Sequence, residues 1–451
     1  MDLRERYIGQ SITAVPTPAV ILDRAKMKKH CDSMLEVANT LGTDFRAHIK
    51  THKTTEGVRL QAGSDNQTVR LIASTVAELE HVLPVLQDMK QSSRYVNMLY
   101  GIPLLASKVD RLAALARQLG PDSISAIVDH PVQLDHLVQF WNTAGLPIGV
   151  YVKVDTGYHR AGLPSSKLNK DNLLAKLLDL DQKGQINFLG LYSHSSLSYN
   201  GSSASEALVH LESEIEGCLD ALQLYSSFFT TKKDIVISVG ASPQCISAKA
   251  LVGNSSDAEG PDATRLRQLI AKVNAAQASG LRTKLELHAG VYAILDIQQL
   301  STRSWEYGNF EDEIAISVMA EVCSVYNDGE RQQPEALVAV GVLGLGREPC
   351  FSYSGWGVVH PSAYTTATTK PERRLIVSRV SQEHCILAWE TNKQDGDGDK
   401  LPPIPLEVGQ KIQIYPNHAC ITGAMYPHYF VVDSSTDENT IQDIWVRARG
   451  W

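Results

Sequence analysis

Phe45-Arg46-Ala47-His48-Ile49-Lys50-Thr51-His52-Lys53-Thr54 opens as a strand and closes as a cluster of bases. Phe45, Ala47 and Ile49 alternate with Arg46, His48 and Lys50, the period-two pattern of a pleated segment. Lysines seldom stand at the end of a buried strand unless something uses them. Clustered cations favour the neutral form of an amine, and a neutral amine attacks a carbonyl to form a Schiff base. Taken alone, the window also fits a solvated basic loop. Its surroundings decide between the two.

Upstream, Thr17-Pro18-Ala19-Val20-Ile21-Leu22-Asp23 reads as a short strand, followed by a helix over about Arg24 to Leu41 that Gly42 stops. Downstream, strand and helix alternate. Strands are expected at Leu71–Ser74, Tyr95–Tyr100, Ile124–Asp129, Gly149–Asp155, Phe188–His194, Ile235–Gly240 and Lys284–Gly290. Helical segments start at Thr75 and Pro131, run through Leu112 and Leu115, and span about Ser205 to Phe229. Counted from the Lys50 strand, these are eight β/α units over about 250 residues, which predicts a (β/α)8 barrel. An open doubly wound sheet is the alternative. The chemically useful residues Lys50, Asp155, His194, Ser242 and the Gly290 turn fall where strands end, the face on which barrels build active sites.

From about Ile314 the pattern changes. Ile314–Val322, Ala336–Gly341, Leu375–Ser378 and Lys411–Tyr415 read as strands with no long helix between them, an all-β domain. The expected division is a barrel over 17–310 and a β domain over 311–451, with residues 1–23 joining the latter. Asn254–Asp262 and Asn392–Lys400 are polar and read as surface insertions.

The 451 residues are 43% hydrophobic and 20% charged, enough for a large folded core. A net charge of −8 offers no basic footprint for nucleic acid. Seven cysteines without a CxxC pair argue for a reducing, cytoplasmic setting rather than a disulfide framework. The charged start, Met1-Asp2-Leu3-Arg4-Glu5-Arg6, is unlike a signal peptide, and no run is long and apolar enough to span a membrane.

Asp155-Thr156-Gly157-Tyr158-His159-Arg160-Ala161-Gly162 packs charge and glycine at the end of the fifth barrel strand. Arg160 there could donate to an anionic ring oxygen or pair with Asp155. Ser238-Val239-Gly240-Ala241-Ser242 and His288-Ala289-Gly290-Val291-Tyr292 each place glycine and backbone amides after a late strand, where barrels cradle phosphate. Tyr192-Ser193-His194 brings aromatic rings to a strand end. Pro416-Asn417-His418-Ala419-Cys420 sets an imidazole and a thiol two residues apart. Read as extended chain, it presents both to one side, and nitrogen plus sulfur suits zinc. Two ligands leave positions open for water or substrate.

Together these segments resemble the eukaryotic-type D-serine dehydratase family, which belongs with D-threonine aldolase among the alanine racemase-like (fold-type III) pyridoxal phosphate enzymes. RAHIKTHKT is similar to the family's R-P-H-x-K-T-H-K motif, whose first lysine, here Lys50, carries the cofactor. The resemblance implies that Arg160 faces the cofactor's phenolic oxygen and that His194, beside Tyr192, stacks on its ring. It also implies that Ser242, Gly290 and Tyr292 occupy the phosphate-binding places, and that His418 and Cys420 hold the metal. An acidic residue is usual at the Cys420 position in the aldolase branch. Ala47 for the usual proline, Ser195-Ser196-Leu197-Ser198-Tyr199 without the second histidine, and His288-Ala289-Gly290 for Arg-Pro-Gly are departures.

The implied activity is dehydration of D-serine to pyruvate and ammonia with pyridoxal 5'-phosphate and Zn2+, in a homodimer. D-threonine aldolase and D-3-hydroxyaspartate dehydratase are the enzymic alternatives. A cofactor-carrier protein is the non-enzymic one, and the β domain with its PNHAC segment argues against it.

Overall fold

The computed structural model describes residues 3–64, 66–229, 234–252, 260–275, 282–365, 373–391 and 401–451. The expected insertion at 392–400 lies outside the described residues, as do residues 254–259 of the other. In chain order the strands begin with β1 (Ala19–Asp23), β2 (Asp44–His48), β3 (Thr68–Ala73), β4 (Tyr95–Pro103), β5 (Ile124–Val128) and β6 (Ile148–Asp155). There follow β7 (Leu163–Pro164), β8 (Ile186–Tyr192), β9 (Asp234–Val239), β10 (Arg282–Ala289), β11 (Ile316–Tyr326) and β12 (Glu335–Val338). The last are β13 (Gly357–Val359), β14 (Leu375–Val380), β15 (Cys385–Trp389), β16 (Lys411–Pro416), β17 (His428–Val432) and β18 (Asp443–Val446).

One compact unit comprises Cys31–Tyr292, Thr302–Trp305 and Ala448–Trp451. Its strands run in the order β5-β4-β3-β2-β10-β9-β8-β6, and β6 pairs back onto β5, so the sheet closes. Each of these pairings is parallel. This is the expected eight-stranded barrel, and the open sheet is excluded. The two-residue β7 adds to the outer end of β6. The helices between strands start where the sequence offers a side-chain acceptor for an orphan amide. Thr54 Oγ1 accepts from the Gly57 amide, Thr75 Oγ1 from Glu78, and Ser203 Oγ from Glu206. The helix Val109–Leu119 shows how one face is buried: Leu112, Ala113, Leu115, Ala116 and Leu119 are all buried, and Gly120 at φ +83° ends it.

On β2 the alternation resolves in an informative way. The polar set reaches across the barrel interior: the Arg46 guanidinium meets Glu286 of β10, Asn97 of β4 and Tyr151 of β6. Arg46 is 1% exposed and Glu286 0%, so the polar side of this strand is the inside of the barrel.

The second unit comprises Met1–His30, Ala293–Ser301 and Glu306–Arg447. Its sheet runs β12-β15-β14-β13-β16-β11-β1-β17-β18, and a further β12–β11 pairing closes the first six strands into a ring. The pairings are antiparallel except for β1 with β17. Tyr7, Ile12, Val15, Ile21, Met319, Phe430 and Ile444 form a core cluster there. The described helices that interrupt the strands after Ile316 are short, Val342–Leu345 and Ala419–Ala424. Among the described residues no helix is long and apolar enough to cross a membrane.

Candidate active site

The barrel unit holds a cavity of about 340 Å³ lined by residues from the ends of its strands. Lys50, Arg160, Tyr192, His194, Ser242 and Gly290, expected from the sequence, all line it. So do His48, Ser74, Lys153 and His288, which the sequence reading did not single out as site residues.

Lys50 sits in the turn that follows β2. The cluster of bases around it is divided among different tasks. His52 is fully buried and bonds Thr54 and Gln61. Lys53 pairs with the buried Glu78 at 2.9 Å. Neither lines the cavity, whereas Lys50 does. Gly290 makes room beside it: a Cβ at that position would stand 3.1 Å from His48 Cβ and 3.6 Å from Lys50 Cε.

Three imidazoles border the space, and hydrogen bonds orient each. His48 Nδ1 accepts from the Lys50 amide at 3.2 Å, and Nε2 meets the Ser74 hydroxyl. His194 Nδ1 donates to the Gly240 carbonyl at 2.6 Å. His288 Nδ1 bonds the Ser238 hydroxyl at 3.1 Å. Burial holds all three well below the ordinary histidine pKa. Neighbouring cations add to this, foremost Lys50 for His48 and His194, while His194 itself acts on His288. They are neutral near pH 7. The His288 ring lies flat against Tyr192, with centroids 4.4 Å apart, and 5.5 Å from His194.

Arg160 is exposed on its loop and stacks on Tyr158. Asp155 instead takes His159 at 2.8 Å and the amides of Gly157 and His159, so the ion pair of Asp155 with Arg160 does not form. Ser242 opens the short helix Ser242–Ser247, and its hydroxyl accepts from the Tyr292 amide. The Tyr292 side chain is not brought to the cavity. It is buried edge-on to Phe45, with its hydroxyl against Cys31 and Gln61.

A second lysine, Lys153, projects from β6 with its ammonium 4.9 Å from the Tyr192 ring centroid. Burial lowers its pKa from 10.5 to about 8, against the pull of Glu214. Glu214, on the helix Ala204–Leu224, is itself buried. Its two oxygens accept from the amides of Ser195 and Gly240, and burial raises its pKa to about 7. Gly240, at φ +134°, tolerates no side chain, because a Cβ would stand 2.6 Å from the His288 carbonyl. The strand period could have found Lys153, since it lies two residues from Asp155 and from Tyr151.

In the other unit the His418 and Cys420 side chains hydrogen-bond each other. The expected reason for their meeting was wrong. The segment is not extended throughout: His418 has extended backbone and precedes the helix Ala419–Ala424, which contains Cys420. The pair therefore meets around a helix start, which Asp296 fixes by accepting the Ala419 amide at 2.8 Å. Burial alone would lower the His418 pKa. Cys420, Asp296 and Glu348 outweigh it and raise it to about 9. Among the described residues no group of three or more His, Cys, Asp or Glu side chains is arranged to hold a metal ion.

The fold and a lysine-bearing cavity at the barrel's strand ends define an alanine racemase-like protein. Residues 22–252 match the family model for the alanine racemase N-terminal domain, and residues 315–432 match that for a putative serine dehydratase domain. The chain is 31% identical to the D-serine dehydratase of Schizosaccharomyces pombe, with 100% of this chain and 95% of that one covered. It is also 31% identical to the D-serine dehydratase of Saccharomyces cerevisiae, with both chains covered in full (100% of each). The solved structure of D-threo-3-hydroxyaspartate dehydratase from Delftia sp. HT23 superposes with a TM-score of 0.71 at 22% identity, covering 98% of this chain and 100% of that one. The chain belongs to the eukaryotic-type D-serine dehydratase family.

Proposed function

We propose that the chain is a pyridoxal phosphate- and zinc-dependent D-serine dehydratase, releasing pyruvate and ammonia. The observation that carries this reading is the isolation of Lys50: of the clustered bases Lys50, His52 and Lys53, it alone lines the cavity. The residues present fit the cofactor. The cavity is lined by rings, by the cation Arg160 and by the hydroxyl of Ser242, and Gly290 leaves its wall open beside Lys50. Bound there, pyridoxal phosphate supplies a conjugated electron sink for a carbanion. Lys50 would hold it covalently and, once freed by the substrate amine, take the α-proton. Arg160 would face the phenolic oxygen, His194 the ring, and Ser242 and Gly290 the phosphate end. Of the Tyr292 residue, only the backbone amide reaches this group, through Ser242.

His418 and Cys420 fit zinc by donor type, imidazole nitrogen and sulfur, and as a pair they leave coordination positions open. Zinc held there by His418 and Cys420 would supply Lewis-acid chemistry suited to a hydroxyl leaving group. The β-rich unit that carries them supports an enzyme over a cofactor carrier. The reading includes a homodimer and a cytoplasmic setting, the latter supported by seven cysteines that form no disulfide. The test is to incubate the purified, cofactor-supplemented protein with D-serine, L-serine and D-threonine. Pyruvate from D-serine alone is expected. Equal pyruvate from L-serine would overturn the stereochemical assignment. Glycine and acetaldehyde from D-threonine as the dominant products would make the protein an aldolase.

A further inference from the structure

Beneath the cavity a chain of buried polar groups ends in an atom without a partner. The Glu286 carboxylate receives Arg46 Nε at 2.7 Å. Burial alone would raise its pKa, but Arg46, Arg70 and the Ser238 hydroxyl outweigh this and hold it below the ordinary range. Glu286 is therefore an acceptor only. Ser238, whose oxygen lies 2.8 Å from it, has one proton and must donate it there, because the other orientation would set lone pair against carboxylate. The Ser238 oxygen is then left as an acceptor, so His288 Nδ1 at 3.1 Å carries the hydrogen between them. The imidazole is neutral, held so by burial first and by the cations Lys153 and Arg46. Its Nε2 is consequently a bare lone pair. That atom is buried and has no hydrogen-bond partner, while the residue lines the cavity and is only 2% exposed. A buried acceptor left unpaired costs about 1–3 kcal/mol, so the site is built for a donor that arrives with a ligand.

We propose that this donor is the protonated ring nitrogen of the cofactor, and that Arg46, Glu286 and Ser238 lock His288 in the tautomer that accepts from it. The inference rests on the cofactor reading above. In pyridoxal the ring nitrogen and the aldehyde carbon lie at opposite ends of the ring. Lys50 stands beyond the end of β2, and His288 is the register partner of Arg46, four residues deeper. The residue at this position thus sets the charge of the ring. An acceptor keeps the ring nitrogen protonated and strengthens its electron-withdrawing pull, where a donor such as arginine would leave it bare. The imidazole acts by holding this proton in place, and no net transfer along the chain is needed.

The experiment loads the full-length protein with cofactor labelled with nitrogen-15 in the ring and records its resonance. In the wild type it should fall in the pyridinium range, with coupling to a bound proton. In His288→Phe and His288→Arg it should move to the neutral-pyridine range, while borohydride still attaches the cofactor to Lys50. Nitrogen-15 histidine spectra of the wild type should show His288 protonated at Nδ1, and Ser238→Ala should release that tautomer. A neutral ring nitrogen in the wild type, or His288 protonated at Nε2, would overturn the proposal while leaving the cofactor assignment intact. A wild-type protein that binds no reducible cofactor would overturn the function reading itself. The wild-type spectra decide the matter even if every variant misfolds.

Discussion

The cavity in the barrel unit and the His418–Cys420 pair in the β-rich unit are built on opposite principles. Around the cavity nearly every polar group is fixed by another: His48 by the Lys50 amide, His194 by the Gly240 carbonyl, Arg46 by Glu286 and Asn97. The second site offers two donors at a helix start and one carboxylate, Asp296, that steadies the backbone between them. The first is over-determined and can hold its shape without help. The second, if it holds zinc as proposed, would leave coordination positions for solvent or substrate. The chemistry should therefore separate into a cofactor step that survives loss of the metal and an elimination step that does not.

The strongest way to break this division is at Lys50. Lys50→Ala should cost about 10⁴-fold in pyruvate formation, the upper range for a general base, and should abolish the absorbance of the lysine-bound cofactor. Peptide mapping after borohydride reduction checks the attachment point. Label on Lys153, the other lysine that lines the cavity, would reassign it. Next in size is the metal. Chelation or His418→Ala should remove Lewis-acid help worth several kcal/mol, roughly 10³-fold in rate, without erasing the cofactor band. Proton NMR in deuterated solvent should still show α-proton exchange of D-serine. Loss of the band together with activity would merge the two sites into one.

A smaller effect probes what makes the cavity rigid. Glu286→Gln leaves Arg46 buried without its charge partner and should destabilise the fold by about 3 kcal/mol, measured by urea denaturation. A change within a few tenths of a kcal/mol would show that the barrel interior is well solvated. The most gradual effect, spread over pH units, is a proton linkage. The native Glu214 carboxyl keeps a proton that the unfolded chain releases between 4.5 and about 7, so its contribution is full below the lower value and is lost as pH rises through the upper. Native Lys153 instead releases a proton between about 8 and 10.5 that the unfolded chain retains, so stability should rise with pH across that window. Each slope is at most about 1.4 kcal/mol per pH unit. The pH slopes of the melting temperature in wild type and Glu214→Gln should differ in the acid window and agree in the alkaline one, with the variant the more stable above about pH 7.

Much of this was legible in the residues. The barrel strands lie where the alternation and glycine stops put them, and Lys50, Arg160, Tyr192, His194, Ser242 and Gly290 share one cavity. Lys153 and His288 were quoted within their segments but not singled out as site residues, because a polar residue alternating with apolar ones on a strand ordinarily lies on the face toward solvent. In a closed barrel that face can be the interior, and Arg46 shows it. The meeting of His418 with Cys420 was expected from an extended segment. A helix start brings the pair together instead, since the Asp296 carboxylate caps the Ala419 amide from far away in sequence. The family resemblance implied a phosphate-binding place for Tyr292. Its ring turns away to pack on Phe45.

The ring of strands in the second unit also bears on handling the protein. Its closure leaves β18 as the last strand in the order among the described residues, and an exposed strand edge is a template for another chain. The short helix Leu3–Tyr7 attends to that edge: Arg4 bonds both the Asp443 carboxylate and the Ile444 carbonyl of β18. Removing the first seven residues, or fusing a tag that unwinds them, should bare this backbone and the half-exposed Val446 beside it. Such a truncation should keep its cofactor spectrum and yet aggregate on concentration, a solubility defect that leaves the chemistry untouched.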